Sequence, residues 1–272
     1  MIRSIRAVLC LVGVIALTGI LAGPHLLFIV TRLPYWKTTA TIWHQVTLRL
    51  LSLKVDVIGK RYDDGPVMFA ANHVSWLDIV VLGATLRGSF IAKTEVKTWP
   101  GISLLANLQR TVYVSRDRKT AKAESDTMQS RLEKGDNLIL FPEGTSNDGL
   151  RIQDFRSAFF VLAERDVQGA PLKVQPVSVT YTHVDGYPVT RKSMPKVSWY
   201  GDMELAPHLV TYMLGGPYRV QVRFFEPVTV AELGNRKKLA SHCRKQIVTG
   251  NSLALSGARP TAPALTDQTS SA

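Results

Sequence analysis

Asn72-His73-Val74-Ser75-Trp76-Leu77-Asp78 sets an imidazole five residues before a carboxylate, directly after the apolar run Val67-Met68-Phe69-Ala70-Ala71. A carboxylate that accepts a hydrogen bond from one imidazole nitrogen leaves the other nitrogen free to take a proton from a hydroxyl. Residues i and i+5 lie about 140° apart on a regular helix, so a helix alone would not join the two. A strand–turn–helix junction would, with His73 emerging at the strand end. The same letters spell a structural alternative, because Ser75-x-x-Asp78 is a capping-box-like start in which the acid serves the first helical turn. One His and one Asp fall short of a metal ligand set, so no metal is expected.

A second constellation, Phe141-Pro142-Glu143-Gly144-Thr145-Ser146, follows the apolar run Leu138-Ile139-Leu140. Proline and glycine force a turn at the carboxyl end of an expected strand, where sites in α/β sheets commonly lie. Glu143 can accept hydrogen bonds from an acceptor hydroxyl or steady neighbouring backbone. Taken alone, the segment is an ordinary turn with an exposed acid.

The elements that must position these residues alternate between β-like runs and helical stretches. Strands are expected at Val55–Gly59, Val67–Ala71, Ser89–Lys93, Thr111–Val114, Asn137–Phe141, Val174–Tyr181, Lys196–Tyr200 and Arg219–Phe225. Trp76–Leu86 and Lys119–Lys134 read as helices; in the second, Ala121, Met128 and Leu132 share a face opposite the basic residues. Thr229-Val230-Ala231-Glu232 is a capping-box pattern opening a basic helix to about Val248. Strands punctuated by helices imply an α/β fold, a mixed sheet covered by helices.

With 46% hydrophobic residues the chain can bury a core, which excludes wholesale disorder. Two distant cysteines, Cys10 and Cys243, exclude a disulfide scaffold. Thirty-three Lys and Arg against 21 Asp and Glu leave a net charge of +12, which suits an anionic partner. The N-terminus says which. From Ala7 to Thr31 no residue carries a formal charge, with Arg3 and Arg6 before the run and Arg32 after it. As one helix it would measure about 37 Å, more than the ~30 Å hydrocarbon core of a bilayer. A cleaved signal peptide is the competing reading. Gly23-Pro24 could break the helix, giving either a spanning helix or a re-entrant hairpin completed by the stretch from Ala40 to Leu53. Trp36 and Trp43 would suit the headgroup level, whereas the bland alternative for that second stretch is a buried core helix. A membrane surface accounts for the basic charge better than nucleic acid, for which no motif appears. The expected organisation is an anchoring segment at 1–54, a catalytic domain at 55–250 and a disordered tail at 251–272.

Together the two constellations are far more specific than either alone. An NHxxxxD element followed by FPEGTS resembles the lysophospholipid acyltransferase family, whose best-known members are 1-acylglycerol-3-phosphate acyltransferases. The likeness extends through Lys93-Thr94-Glu95, Trp99-Pro100-Gly101, Val112-Tyr113-Val114-Ser115-Arg116 and Val174-Gln175-Pro176-Val177-Ser178-Val179, over roughly 55–248. It implies fatty-acyl transfer from a thioester of acyl-carrier protein or CoA to a lysolipid hydroxyl, with no further cofactor. By the same resemblance His73 is the general base and Asp78 orients it, while Lys93, Arg116, Glu143, Gly144 and Thr145 serve acceptor binding. For Lys93 and Arg116 a surface ion pair is the structural alternative. No acyl-enzyme is implied, in keeping with the lack of a GxSxG nucleophile elbow. The implied location is a bacterial inner membrane with the catalytic domain on the cytoplasmic side, where both donors are found.

This chain departs from the phosphate-acceptor pattern in two places. Ser146 stands where many members have arginine, and Phe155-Arg156-Ser157-Ala158-Phe159 replaces the more usual FKxGAF. Both changes look more like the bacterial branch that includes lyso-ornithine lipid acyltransferases, whose headgroup is an amino acid carrying an ammonium and a carboxylate. The alternatives are a phosphatidate-forming enzyme, a thioester or lipid hydrolase using the same base on water, and a non-catalytic lipid-binding protein.

Overall fold

The N-terminal apolar run forms one uninterrupted helix, α1 (Ile2–Val30), and the chain then turns back into α2 (Trp36–Leu50). The computed structural model describes residues 2–99, 101–115, 117 and 119–257. Pro24 sits inside α1 without ending it, so of the two forms open to the run the continuous helix is the one observed. The two helices form an antiparallel hairpin. Gly13 meets Leu50, the Trp43 indole N–H donates to Thr18 Oγ1 at 2.9 Å, and His25 Nδ1 lies 2.6 Å from Thr39 Oγ1.

The N-terminal segment is thus a two-helix hairpin whose second helix belongs to the protein core. Trp36, Ala40, His44, Thr47 and Leu48 of α2 are buried. Trp36 lies under the Arg110 guanidinium at 4.6 Å, and the half-buried Trp43 is bonded to α1. The bland reading of the second stretch is the one that holds. Gly83 lets α3 (Leu77–Thr85) approach α2 closely, since a Cβ there would collide with the His44 ring.

The remaining elements are β1 (Leu53–Ile58), β2 (Val67–Ala71), β3 (Ser89–Lys93), α4 (Ile102–Leu108), β4 (Val112–Val114), α5 (Ala121–Glu133) and β5 (Leu138–Leu140). A small hairpin of β6 (Asp166–Val167) and β7 (Ala170–Pro171) precedes β8 (Lys173–Val184), β9 (Tyr187–Pro188), α6 (Leu205–Leu214) and β10 (Tyr218–Phe224). The chain then forms α7 (Val230–Leu233) and α8 (Arg236–Leu255).

The main sheet runs β1-β10-β8-β2-β5-β3-β4, with β9 paired to β8. β8 meets β10 and β9 antiparallel, while β1–β10, β8–β2, β2–β5, β5–β3 and β3–β4 are parallel, so the sheet is mixed. Side chains alternate across a strand, and β2 divides accordingly. Val67, Phe69 and Ala71 join the core formed with α2, α3 and α6, while Met68 and Ala70 join the one formed with α5 and α8. All five residues are buried, as befits a strand covered on both faces.

Several expectations need correction. Lys196–Tyr200 is no strand: a 3-10 turn occupies Met194–Lys196, and the next residues leave it without sheet pairing. The helix expected from Thr229 to Val248 is two helices. Thr229 and Glu232 do form the capping box of α7, but Gly234 at φ +95° ends it and the Asn235 side chain caps α8. The expected tail is helical as far as Leu255, and Asn251 is buried, its Oδ1 accepting from Thr180 Oγ1 at 2.9 Å. Residues 258–272 of that tail lie outside the described residues. Helices α4 and α6 were not anticipated.

Candidate active site

The strands β2, β5, β3 and β4 are parallel neighbours, so their carboxyl ends share one edge of the sheet, and both sequence constellations emerge there. Strands lie about 4.8 Å apart, which puts the end of β3 roughly 10 Å from the end of β2.

At that edge β2 gives way to a tight turn and α3, a junction that can join a His and an Asp five residues apart. Asp78 sits in the first turn of α3, fully buried. Its Oδ2 accepts from His73 Nδ1 at 2.8 Å, from Val74 N–H at 2.6 Å and from Ser75 N–H at 2.9 Å. Its Oδ1 accepts from the Tyr181 hydroxyl at 2.8 Å. The two readings of Asp78 are therefore compatible, because one carboxylate both satisfies the turn backbone and orients the imidazole. Ser75 is not the cap: its hydroxyl is buried without a partner.

His73 lies with its ring stacked on Phe141, centroids 4.1 Å apart and planes at 17°. With Nδ1–H donated to Asp78, Nε2 carries the lone pair. That nitrogen meets no partner among the described residues, and the side chain stays 20% exposed, enough for a hydroxyl to reach it. A hydroxyl that reached Nε2 could pass its proton to this imidazole.

Glu143 holds this arrangement from below. It is 2% exposed, its Oε1 accepts from His73 N–H at 2.8 Å, and its Oε2 accepts from Asn147 Nδ2 at 2.5 Å and Gln153 N–H at 2.9 Å. Of its two possible roles, steadying backbone is the one these contacts fill. Burial raises its carboxyl above the ordinary range, and the three donors oppose that rise. Asn147 N–H donates to His73 O at 3.0 Å and Trp199 N–H to Val74 O at 2.9 Å. Asn72 exchanges two hydrogen bonds of 2.8 Å with the Val179 backbone, extending the β2–β8 pairing by a side chain.

The other anticipated residues are placed less centrally. Gly144 adopts φ +72°, where a side chain would be strained, and a Cβ there would stand 3.3 Å from Phe159. Thr145 is exposed in the same turn. Lys93 ends β3 and is half-buried, on the same edge as His73 but two strands away. Arg116 lies outside the described residues.

Sequence reasoning missed Tyr181. Burial and the Asp78 charge push its hydroxyl well above the ordinary range, so it remains a donor to that carboxylate. A signal was available, since Val177, Val179 and Tyr181 alternate on one face of a buried strand and a buried tyrosine hydroxyl needs a partner.

Residues 53–180 match the sequence model of the Acyltransferase family. The lyso-ornithine lipid O-acyltransferase of Brucella abortus (strain 2308) is 40% identical over 245 residues, covering 88% of this chain and 91% of that protein. The 1-acyl-sn-glycerol-3-phosphate acyltransferase of Neisseria gonorrhoeae is 30% identical over 182 residues, covering 66% of this chain and 68% of that protein. The crystal structure of the 1-acyl-sn-glycerophosphate acyltransferase from Thermotoga maritima shares the fold at a TM-score of 0.64 and 20% identity, covering 96% of this chain and 100% of that one.

Proposed function

Because the chain belongs to the acyltransferase family, we propose that it transfers a fatty acyl chain from a thioester to the hydroxyl of lyso-ornithine lipid, with His73 as the general base. The likeness to the Brucella enzyme carries the choice of acceptor, since it spans nearly the whole of both proteins. Ser146 in the FPEGTS turn supports it, because that position supplies no cation for a phosphate.

His73 Nε2 takes the proton of the acceptor hydroxyl as its oxygen attacks the thioester carbonyl carbon. Asp78, 2.8 Å from Nδ1, stabilises the imidazolium that forms. The tetrahedral oxyanion needs donors. The Thr145 and Ser146 N–H groups, which meet no acceptor among the described residues, lie in the turn beside the imidazole and suit that task. Collapse breaks the carbon–sulfur bond, and the thiolate leaves with the proton from His73. The products are a diacyl lipid and the free thiol of CoA or acyl-carrier protein.

The packing of α1 supports a placement along the membrane surface. Polar contacts tie it to the domain from Arg6, whose guanidinium donates to Met213 O at 3.0 Å, to His25, whose Nε2 lies 2.8 Å from Leu108 O. That is roughly 29 Å of helix held along the protein, so a bilayer cannot enclose α1 on all sides. Its outer face carries exposed Ile5, Val8, Val12, Ile15 and Leu27. The helix therefore lies along the bilayer with this face in the acyl region, like an interfacial anchor. Cytosolic donors then place the catalytic domain on the cytoplasmic face of a bacterial inner membrane.

The second reading, phosphatidate synthesis, has the Neisseria likeness in its favour. Product analysis decides between them: membranes containing the protein, offered both thioester donors and a panel of lysolipids, should form diacylated ornithine lipid. Phosphatidate as the dominant product would replace the acceptor, and free fatty acid alone would replace the reaction.

A further inference from the structure

A cavity of about 330 Å³ lies between the loop that follows Glu143 and the segment leading to Tyr200. Both walls are tied to the base. Asn147 N–H donates to His73 O, Trp199 N–H donates to Val74 O, and a Cβ on Gly149 would stand 2.8 Å from Val74 Cγ1. The segments that line the cavity are thus joined, through residues next to its lining, to the turn that carries His73. The volume is at the small end for ligand sites, enough for a headgroup but not for an acyl chain.

The charges around the cavity are of both signs. Met194 and Ser198 are buried in its wall, while Asp148, Arg151, Arg191 and Tyr200 line it with partial or full exposure. Asp148 Oδ1 accepts from Leu150 N–H at 2.9 Å and from Arg151 N–H at 3.3 Å, and its Oδ2 meets no donor among the described residues. Among those residues neither Arg151 nor Arg191 takes part in an ion pair. One carboxylate oxygen and two guanidinium groups are thus left uncompensated around one small cavity.

We propose that this cavity is the acceptor's headgroup site and that it reads a zwitterion, with Asp148 receiving an ammonium and Arg151 and Arg191 receiving a carboxylate. Guanidinium groups match a carboxylate in geometry as well as charge. A phosphate monoester would meet the same arginines, but Asp148 would face it with like charge, so the acid is the discriminating group. The inference rests on the lyso-ornithine reading and adds to it the residues that select the acceptor.

The test pairs variants with altered acceptors. Asp148→Asn keeps the Oδ1 that holds the local turn and removes the charge. With lyso-ornithine lipid its kcat/KM should fall at least tenfold, mainly through KM, as expected for loss of a charge-assisted hydrogen bond. With an analogue whose side-chain ammonium is acetylated, Asp148→Asn and the unmodified protein should perform alike. Arg151→Gln combined with Arg191→Gln should likewise lower kcat/KM for the lipid and not for its carboxyl methyl ester. Equal losses on lipid and analogue, or no loss on the lipid, would overturn the site while leaving the lyso-ornithine reading in place. An unmodified protein that does not acylate lyso-ornithine lipid at all would overturn both.

Discussion

Asp78→Asn probes the link between the turn and the chemistry most finely. The carboxylate has three donors on Oδ2 and the Tyr181 hydroxyl on Oδ1. An asparagine fits best with its oxygen toward the three donors and its amide toward Tyr181, which preserves the imidazole's orientation and removes the charge. A unit charge pair about 4 Å apart is worth ~4 kcal/mol at an effective dielectric of ~20. Losing that stabilisation of the imidazolium corresponds to a drop of roughly 10³ in kcat, with KM little changed. The Tyr181 hydrogen is left buried without an acceptor, which costs about 1–3 kcal/mol of folding stability. Initial rates with a thioester donor and micellar acceptor would measure the first effect, and urea unfolding the second. A kcat within threefold of the unmodified protein would refute the reasoning and reduce Asp78 to a helix cap.

Three further outcomes are expected. Glu143 has its folded-state carboxyl raised above the ordinary 4.5, so the folded chain binds that proton more tightly than the unfolded chain. Its contribution to stability is full below the unfolded value and is lost as pH rises through the folded one. Glu143→Gln should therefore show a shallower decline in urea-unfolding free energy as pH rises above the ordinary carboxylate value; parallel slopes would contradict this. Deleting residues 1–31 should release the protein from vesicles in a flotation assay, because α1 carries the exposed apolar face; unchanged flotation would assign membrane binding elsewhere. Ser146→Arg should raise the lysophosphatidate to lyso-ornithine ratio of kcat/KM about tenfold or more, the value of a charge-assisted hydrogen bond. No change in that ratio would separate Ser146 from acceptor choice.

The central strands and the His–Asp pair were legible because their signals are local. β2 and β5 are short apolar runs each ended by a turn, and a spacing of five is one that a strand–turn–helix junction can close and a regular helix cannot. What was not legible depends on distant pairing. Tyr181 reaches Asp78 only because β8 lies beside β2. Lys196–Tyr200 has apolar alternation, yet Trp199 N–H goes to Val74 O in the turn after β2 and no strand forms. Pro24 removes one helical donor from α1, but the long apolar helix continues past it. The contacts of Trp36 with Arg110 and of Trp43 with Thr18 likewise depend on tertiary pairing that the local sequence does not show.

The most direct test of the account is the turnover of purified His73→Ala in membranes, with lyso-ornithine lipid and an acyl thioester. The substitution removes the imidazole and leaves the backbone N–H at that position, which Glu143 holds, in place. Acyl transfer should fall by on the order of 10²–10⁴ while melting and vesicle binding stay close to those of the unmodified protein. Near-normal transfer by a well-folded His73→Ala protein would contradict the assignment of the base and, with it, the mechanism.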